Sequence, residues 1–313
     1  MKKPTYKSDI YYSVFPAKGS RLVYGTSGLG GVWGEVDEEE SVDCLLYAFE
    51  NGISSLDTSP SYSNSEMYVG KALKQWKGEK PFISTKVGRL QSELAFDAKL
   101  DYSVQGIKNS VRRSLDLLGV DAVDLLFLHE PQWVPLQNIH EILDTLLSLK
   151  EEGYTKMLGI GGNPSPDFRP YIDGSTFQVV STFCRMDACN LSAFEEEVAL
   201  YQQQKISIYA ASALHFSLLG NRFEQFIQNQ PIDNEFILER EIKNAIQVNE
   251  MAKKYGISLP TLAQRYLFSM EEATRVVMGA RKINQIKNTI EDWKQGALPE
   301  HIFNEITEAI IIS

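Results

Sequence analysis

One unit recurs along this chain: a short apolar run, a loop, then a segment whose apolar residues return at helical spacing. Residues 22–24 open into the Gly-rich loop 25–34, and a helix over 38–51 stops at Gly52, a residue that ends helices well because it tolerates left-handed backbone. The second unit couples 53–57 with a helix over 66–76, the third 82–87 with 104–118, and the fourth 122–128 with 139–152. In that fourth helix Ile139, Ile142, Leu143, Leu146 and Leu147 fall on one face at a period near 3.6. The fifth unit joins 157–160 to a short helix over 167–172, and the sixth joins 177–182 to 194–203. The seventh is 206–211 followed by a long loop and a helix over 239–254, and the eighth is 276–278 with 284–294.

Eight strand–helix units predict a closed (β/α)₈ barrel. The apolar runs are unbroken rather than alternating, as parallel strands buried on both faces require. An open doubly wound sheet is the rival arrangement. Residues 6–22 read as an N-terminal β-hairpin cap, 259–270 as an extra helix, and a last helix starts near Glu300. The longest aperiodic loop, 214–238, is a candidate lid. No Pro-, Ser- or charge-rich linker divides the chain, so residues 1–313 read as one domain.

A formal charge of −10 and a pI near 5.1 argue against nucleic-acid or anionic-membrane partners, which select basic surfaces. Lys2 and Lys3 are not followed by an apolar core, so no secretory leader is read, and no apolar run nears the roughly 20 residues of a membrane span. The three cysteines, Cys44, Cys184 and Cys189, are too scattered for a metal motif and fit reduced thiols in a cytoplasmic protein. The expected state is a monomer or a weak homo-oligomer.

Three apolar strands end in ionisable residues: Asp57, Lys86 and His129. In a barrel of this type all strand C-termini meet on one face, so these three converge. Tyr62, five residues past Asp57 across the turn at Pro60, is brought over them, and Ser65 reads as the N-cap of the helix that follows. A phenol with an ordinary pKa near 10 is a poor acid or base at neutral pH, and a neighbouring ammonium lowers that value. A carboxylate holds the ammonium charged, and an imidazole can orient a substrate oxygen. Such a set suits proton transfer at a carbonyl or hydroxyl oxygen, coupled to hydride transfer by a cofactor. Taken singly, each residue has an ordinary reading as a turn, surface or strand-end residue; the information lies in their order. A Schiff-base aldolase on Lys86 and a glycosidase using Asp57 and Glu130 are rival chemistries. The glycines of 25–34 do not follow the dinucleotide fingerprint spacing.

The segments 53–66, 84–88, 126–131 and 158–164 resemble the aldo-keto reductase superfamily, and the likeness runs from about residue 22 to 290. The resemblance implies a barrel that binds NADP or NAD without a Rossmann domain, with a tetrad at Asp57, Tyr62, Lys86 and His129. Tyr62 would be the acid in reduction and the base in oxidation, Lys86 held by Asp57 would tune it, and His129 would orient the carbonyl. Asn163 would meet the nicotinamide amide, with Gly162 where Ser is usual, and Ser181 would take the place of a strand-six Gln. The loop residues Gly28 and Leu29, and Ser212, Leu214 and Leu218 in a phosphate-side loop, would complete the cofactor site. Gly279, Ala280, Arg281, Gln285 and Asn288 would cradle the adenosine end, Arg281 and Lys282 favouring NADP. Ser63 replaces the Gly usual after the tyrosine. The run Asp57-Thr58-Ser59-Pro60, with Thr182-Phe183-Cys184 and Ala211-Ser212, is most similar to the L-galactose and aldose 1-dehydrogenase branch. That branch implies a sugar or other small carbonyl substrate, with Trp33 and Glu130 as contacts. The alternative is a catalytically idle barrel that binds cofactor as a regulatory subunit.

Overall fold

A computed structural model describes residues 2–97, 99–228 and 237–312. After a small hairpin of β1 (Tyr12–Ser13) and β2 (Gly19–Ser20), the chain builds eight parallel strands. They are β3 (Leu22–Gly25), β4 (Ser55–Asp57), β5 (Phe82–Val87), β6 (Val123–His129), β7 (Thr155–Gly161), β8 (Val179–Phe183), β9 (Ser207–Ala211) and β10 (Ala273–Gly279). Each pairs with the next, and β10 returns to β3 with Met278 opposite Tyr24, closing the barrel. The eight expected strands are therefore the eight observed ones, and the open-sheet alternative is excluded.

Helices α1 (Glu38–Glu50), α2 (Ser65–Gln75), α3 (Val104–Leu118) and α4 (Ile139–Glu151) follow the first four barrel strands; α5 (Glu197–Gln203) follows β8 and α9 (Ile283–Lys294) follows β10. Their ends are set locally. The Asp37 carboxylate accepts the Glu40 N–H at 2.8 Å, the Ser103 hydroxyl accepts the Gly106 N–H at 3.0 Å, and Gly119 ends α3 at φ 66°. Apolar helix faces pack on the outside of the sheet, while Val23, Leu125, Phe127, Val179, Tyr209 and Val277 form a separate core inside it. Gly159 makes room for that inner core: a Cβ there would lie 2.6 Å from the Phe127 ring.

The floor of the barrel is tied by two buried arginines. Arg21 donates to the carbonyls of Phe268, Met270 and Ala273, gathering the end of α8 (Leu259–Phe268) beneath β3. Arg275 donates to Ser20 O at 3.1 Å and to Ala17 O and Ser55 Oγ, joining β10 to the hairpin. Burial lowers both guanidinium pKa values, that of Arg21 to about 10.

Several boundaries differ from the pattern in the sequence. The fifth unit carries a 3₁₀ turn, Pro166–Tyr171, because Pro170 denies an α-helix its ladder bond. The sixth begins as a 3₁₀ turn, Ser192–Phe194, and becomes α5 only at Glu197. The long loop after β9 contains α6 (Phe223–Gln228) and leads to α7 (Glu239–Tyr255); within the expected lid, residues 229–236 lie outside those described. Ser65 is not an N-cap. It is the first residue of α2, whose cap is Asn64 without a side-chain bond, and its hydroxyl donates instead to Thr26 O at 3.0 Å. Among the described residues no helix is long and apolar enough to cross a membrane.

Candidate active site

β4 and β5 are paired in register with Asp57 opposite Ser84, which places Lys86 just beyond Asp57 at the same end of the barrel. The Lys86 ammonium donates to Asp57 Oδ2 at 2.6 Å and to Thr58 O at 2.8 Å, while the Ser84 hydroxyl donates to Asp57 Oδ1 at 2.8 Å. Asp57 and Lys86 are buried, at 5% and 3% exposure. Burial alone would lower the ammonium's pKa, but Asp57 and Tyr62 outweigh it and hold Lys86 above its ordinary value, so the amine is charged. Phe127 lies beneath, its ring centroid 5.7 Å from Lys86 Nζ.

Tyr62 comes over this pair on the loop between β4 and α2, with Lys86 Nζ 4.9 Å from its ring centroid. His129, at the end of β6, meets Tyr62 edge-on with ring centroids 6.2 Å apart. The four side chains thus form one group at the C-terminal mouth. Burial drives the His129 imidazole well below its usual pKa, with Lys86 and Arg89 adding to the effect, so the ring is neutral. Tyr62 departs from the expectation that its neighbouring ammonium would lower it. Burial raises the phenol above its ordinary value, and Lys86 opposes this without overcoming it. The resting site is therefore a protonated phenol beside a charged amine and a neutral imidazole.

Two backbone features explain the loop that carries Tyr62. A Cβ at Gly30 would stand 1.6 Å from Tyr62 O, so only glycine lets the two segments touch. Ser63 sits at φ 53°, the left-handed region that glycine adopts at lower cost. Gly162 likewise adopts φ 139°, and a Cβ there would meet Pro131 Cδ at 2.9 Å. A serine at 162 would be strained.

Glu130 follows His129 with φ 51° and pairs with Arg89 at 2.6 Å. Burial raises its pKa and Arg89 opposes that. The Tyr102 hydroxyl donates to the carbonyls of His129 at 2.8 Å and Glu130 at 3.1 Å, fixing this turn. Arg89 was not singled out from the sequence; its signal was its place three residues past Lys86 on the same strand end. Trp33 is 42% exposed, and its ring meets Phe96 edge-on at 5.4 Å.

The remaining residues fall in three places. The Asn163 carboxamide oxygen accepts from Thr182 Oγ1 at 2.7 Å and from Phe183 N at 3.2 Å, and its amide donates to Phe183 O at 3.1 Å. It is thus Thr182 and Phe183 that meet Asn163, while Ser181 holds the Gly162 N–H through its carbonyl at 2.8 Å. Gly28 packs against Ala280 and Arg281, and Leu29 is fully buried. Arg281 Nη1 donates to Trp33 O at 2.6 Å, and the Gln285 side chain accepts from Arg281 N and Lys282 N at 2.8 and 3.2 Å; Gly279 and Asn288 are exposed nearby. Ser212, Leu214 and Leu218 lie in the loop after β9, with Leu218 fully buried.

The family model described as Aldo/keto reductase family matches residues 21–311. The chain belongs to the aldo/keto reductase family. It is 31% identical over 296 residues to D-arabinose 1-dehydrogenase of Saccharomyces cerevisiae, covering 89% of this chain and 84% of the relative. It is 28% identical over 281 residues to L-galactose dehydrogenase of Arabidopsis thaliana, covering 87% and 84%. Among solved structures, a glycerol dehydrogenase from Gluconobacter oxydans superposes with a TM-score of 0.78 over 96% of this chain and 95% of that one; at 23% identity the likeness speaks to the fold. This aldo/keto reductase is an oxidoreductase, of a family that acts with nicotinamide cofactors.

Proposed function

We propose that this aldo/keto reductase is an NAD(P)-dependent sugar dehydrogenase that oxidises aldoses at the anomeric carbon to lactones, and that Asp57, Tyr62, Lys86 and His129 are its catalytic residues. The observation that carries the reading is the buried Lys86–Asp57 ion pair at 2.6 Å with the Tyr62 ring over the ammonium and His129 at its edge. The bound nicotinamide would accept or supply hydride. Tyr62 takes the proton from the anomeric hydroxyl in oxidation and returns it to the carbonyl oxygen in reduction. Lys86 favours the phenolate that oxidation requires. Neutral His129 offers the substrate oxygen a hydrogen bond without competing for its proton.

Support for a sugar comes from the two aldose-oxidising relatives and from the rim, where the aromatic Trp33 and the Arg89–Glu130 pair present an apolar face and paired polar groups. A small aldehyde is the second substrate class. The dinucleotide would lie across Asn163, Ser181, the loop carrying Ser212, Leu214 and Leu218, the Gly28–Leu29 turn, and the segment from Gly279 to Asn288. Arg281 and Lys282 favour the 2′-phosphate of NADP, as charge-assisted donors do. Glu40, whose carboxylate accepts the Ile283 N–H at 3.3 Å at the start of α9, favours NAD, so both cofactors are tested.

The test is a screen of aldoses and simple aldehydes with each cofactor. Turnover of aldoses to lactones is expected, and Tyr62→Phe should lower kcat about 10²–10⁴-fold with cofactor affinity retained. Full activity in that variant sinks the mechanism; turnover of aldehydes alone sinks the sugar assignment.

A further inference from the structure

The loop after β9 has a backbone that needs holding. Ser212, His215, Phe216 and Ser217 all lie at positive φ (65°, 45°, 51° and 70°), and none is glycine. Left-handed backbone of this kind persists in L-residues only when the surroundings fix it. The surroundings here converge on one side chain. His215, 1% exposed, places Nδ1 2.7 Å from Asp187 Oδ2 and Nε2 3.1 Å from Glu241 Oε2. Asp187 belongs to the turn after β8, where its Oδ1 accepts the N–H groups of Cys189 and Asn190 at 2.9 and 3.0 Å. Glu241 is in the first turn of α7, where its carboxylate accepts from Leu238 N at 2.7 Å and Asn190 Nδ2 at 2.6 Å. Three separate segments are therefore joined at one imidazole.

The protonation state follows from geometry. A neutral imidazole donates through one nitrogen only, and the other would turn its lone pair toward a carboxylate. With both nitrogens facing carboxylates, the ring carries two protons. The other titratable groups facing it are Cys184 and Cys189, whose thiols burial and the two carboxylates push well up, so they stay neutral. Cys184, Asp187 and His215 also bring one ligand atom each within 4.8 Å of one another, a spacing that a metal site shares. A metal on this trio would replace the Nδ1 proton, so the metal content of the purified protein separates that arrangement from the ion-pair bridge.

We propose that His215, as an imidazolium bridging Asp187 and Glu241, is the positioning residue that holds the loop of residues 212–220 in the shape that receives the dinucleotide. This rests on the reading of that loop as a wall of the cofactor groove. His215 touches neither cofactor nor substrate; it acts through the loop it anchors.

The experiment compares wild type with His215→Gln in titrations with NADPH and NADH and in steady-state kinetics. The dissociation constant of the preferred cofactor is expected to rise at least tenfold while kcat at saturating cofactor changes by less than twofold. A purely structural histidine would lower thermal stability and leave cofactor affinity within twofold, which overturns the proposal. Glu241→Gln, which keeps a polar partner for the ring, should raise the dissociation constant at least threefold, and it decides the matter if His215→Gln does not fold. Failure of wild type to bind either dinucleotide would overturn the cofactor reading itself and this proposal with it; tight wild-type binding with unchanged variants overturns only the proposal. A stoichiometric metal in the purified protein that is lost in Cys184→Ser also overturns it.

Discussion

Lys86 and Asp57 occupy a place where neither charge is tolerable alone. Lys86→Met would leave the carboxylate buried with Ser84 as its remaining side-chain donor, and truncating one partner of such a pair costs about 3–5 kcal/mol. The denaturation midpoint should fall accordingly and activity should be lost; an unchanged midpoint would show that the pair is solvated. In the proposed reaction Tyr62 sets the pH dependence. Its phenol is held above its ordinary value, so it stays protonated through neutral pH. Reduction, which needs the phenol, should be nearly flat from pH 6 to 9. Oxidation needs the phenolate, whose fraction grows tenfold per pH unit below the pKa, so its rate should climb over the same range. A flat oxidation profile would remove Tyr62 as the base.

At the scale of elements, the site depends on how closely the Gly-rich loop approaches the turn between β4 and α2. Gly30→Ala puts a methyl where Tyr62 O stands and must push the turn outward. A displacement of about 1 Å at a catalytic group costs on the order of 10² in rate. The expected result is a loss of kcat of that size with the fold retained by circular dichroism; full activity would show that the turn moves freely. Ser65 makes the same point from the other side. Its sequence context suggested a cap, yet the hydroxyl is spent on Thr26, so the start of α2 is stitched to the Gly-rich loop.

Across the whole molecule, the buried arginines that tie the floor and the proposed catalytic residues sit at opposite ends of the barrel. Arg21, at the floor, satisfies carbonyls where α8 turns into β10, far from the strand ends that carry the tetrad. Arg21→Met would leave those acceptors unpaired, at a cost of at least about 3 kcal/mol. The unfolding midpoint should drop with kcat intact, and a parallel loss of activity in the folded variant would show that the two ends are coupled. The order of eight apolar runs and their helical partners was legible in the chain because period and punctuation are local properties. So was the convergence of Asp57, Tyr62, Lys86 and His129, because each ends a strand or follows one closely and a closed parallel barrel gathers those ends on one face. Folding alone decided which groups meet across long separations. Arg89 reaching Glu130, Thr182 meeting Asn163, and His215 joining Asp187 to Glu241 are contacts between distant segments that no local spacing encodes. The net pKa of Tyr62 was decided there too, since the extent of its burial, which outweighs the nearby amine, exists only once the chain has closed around it.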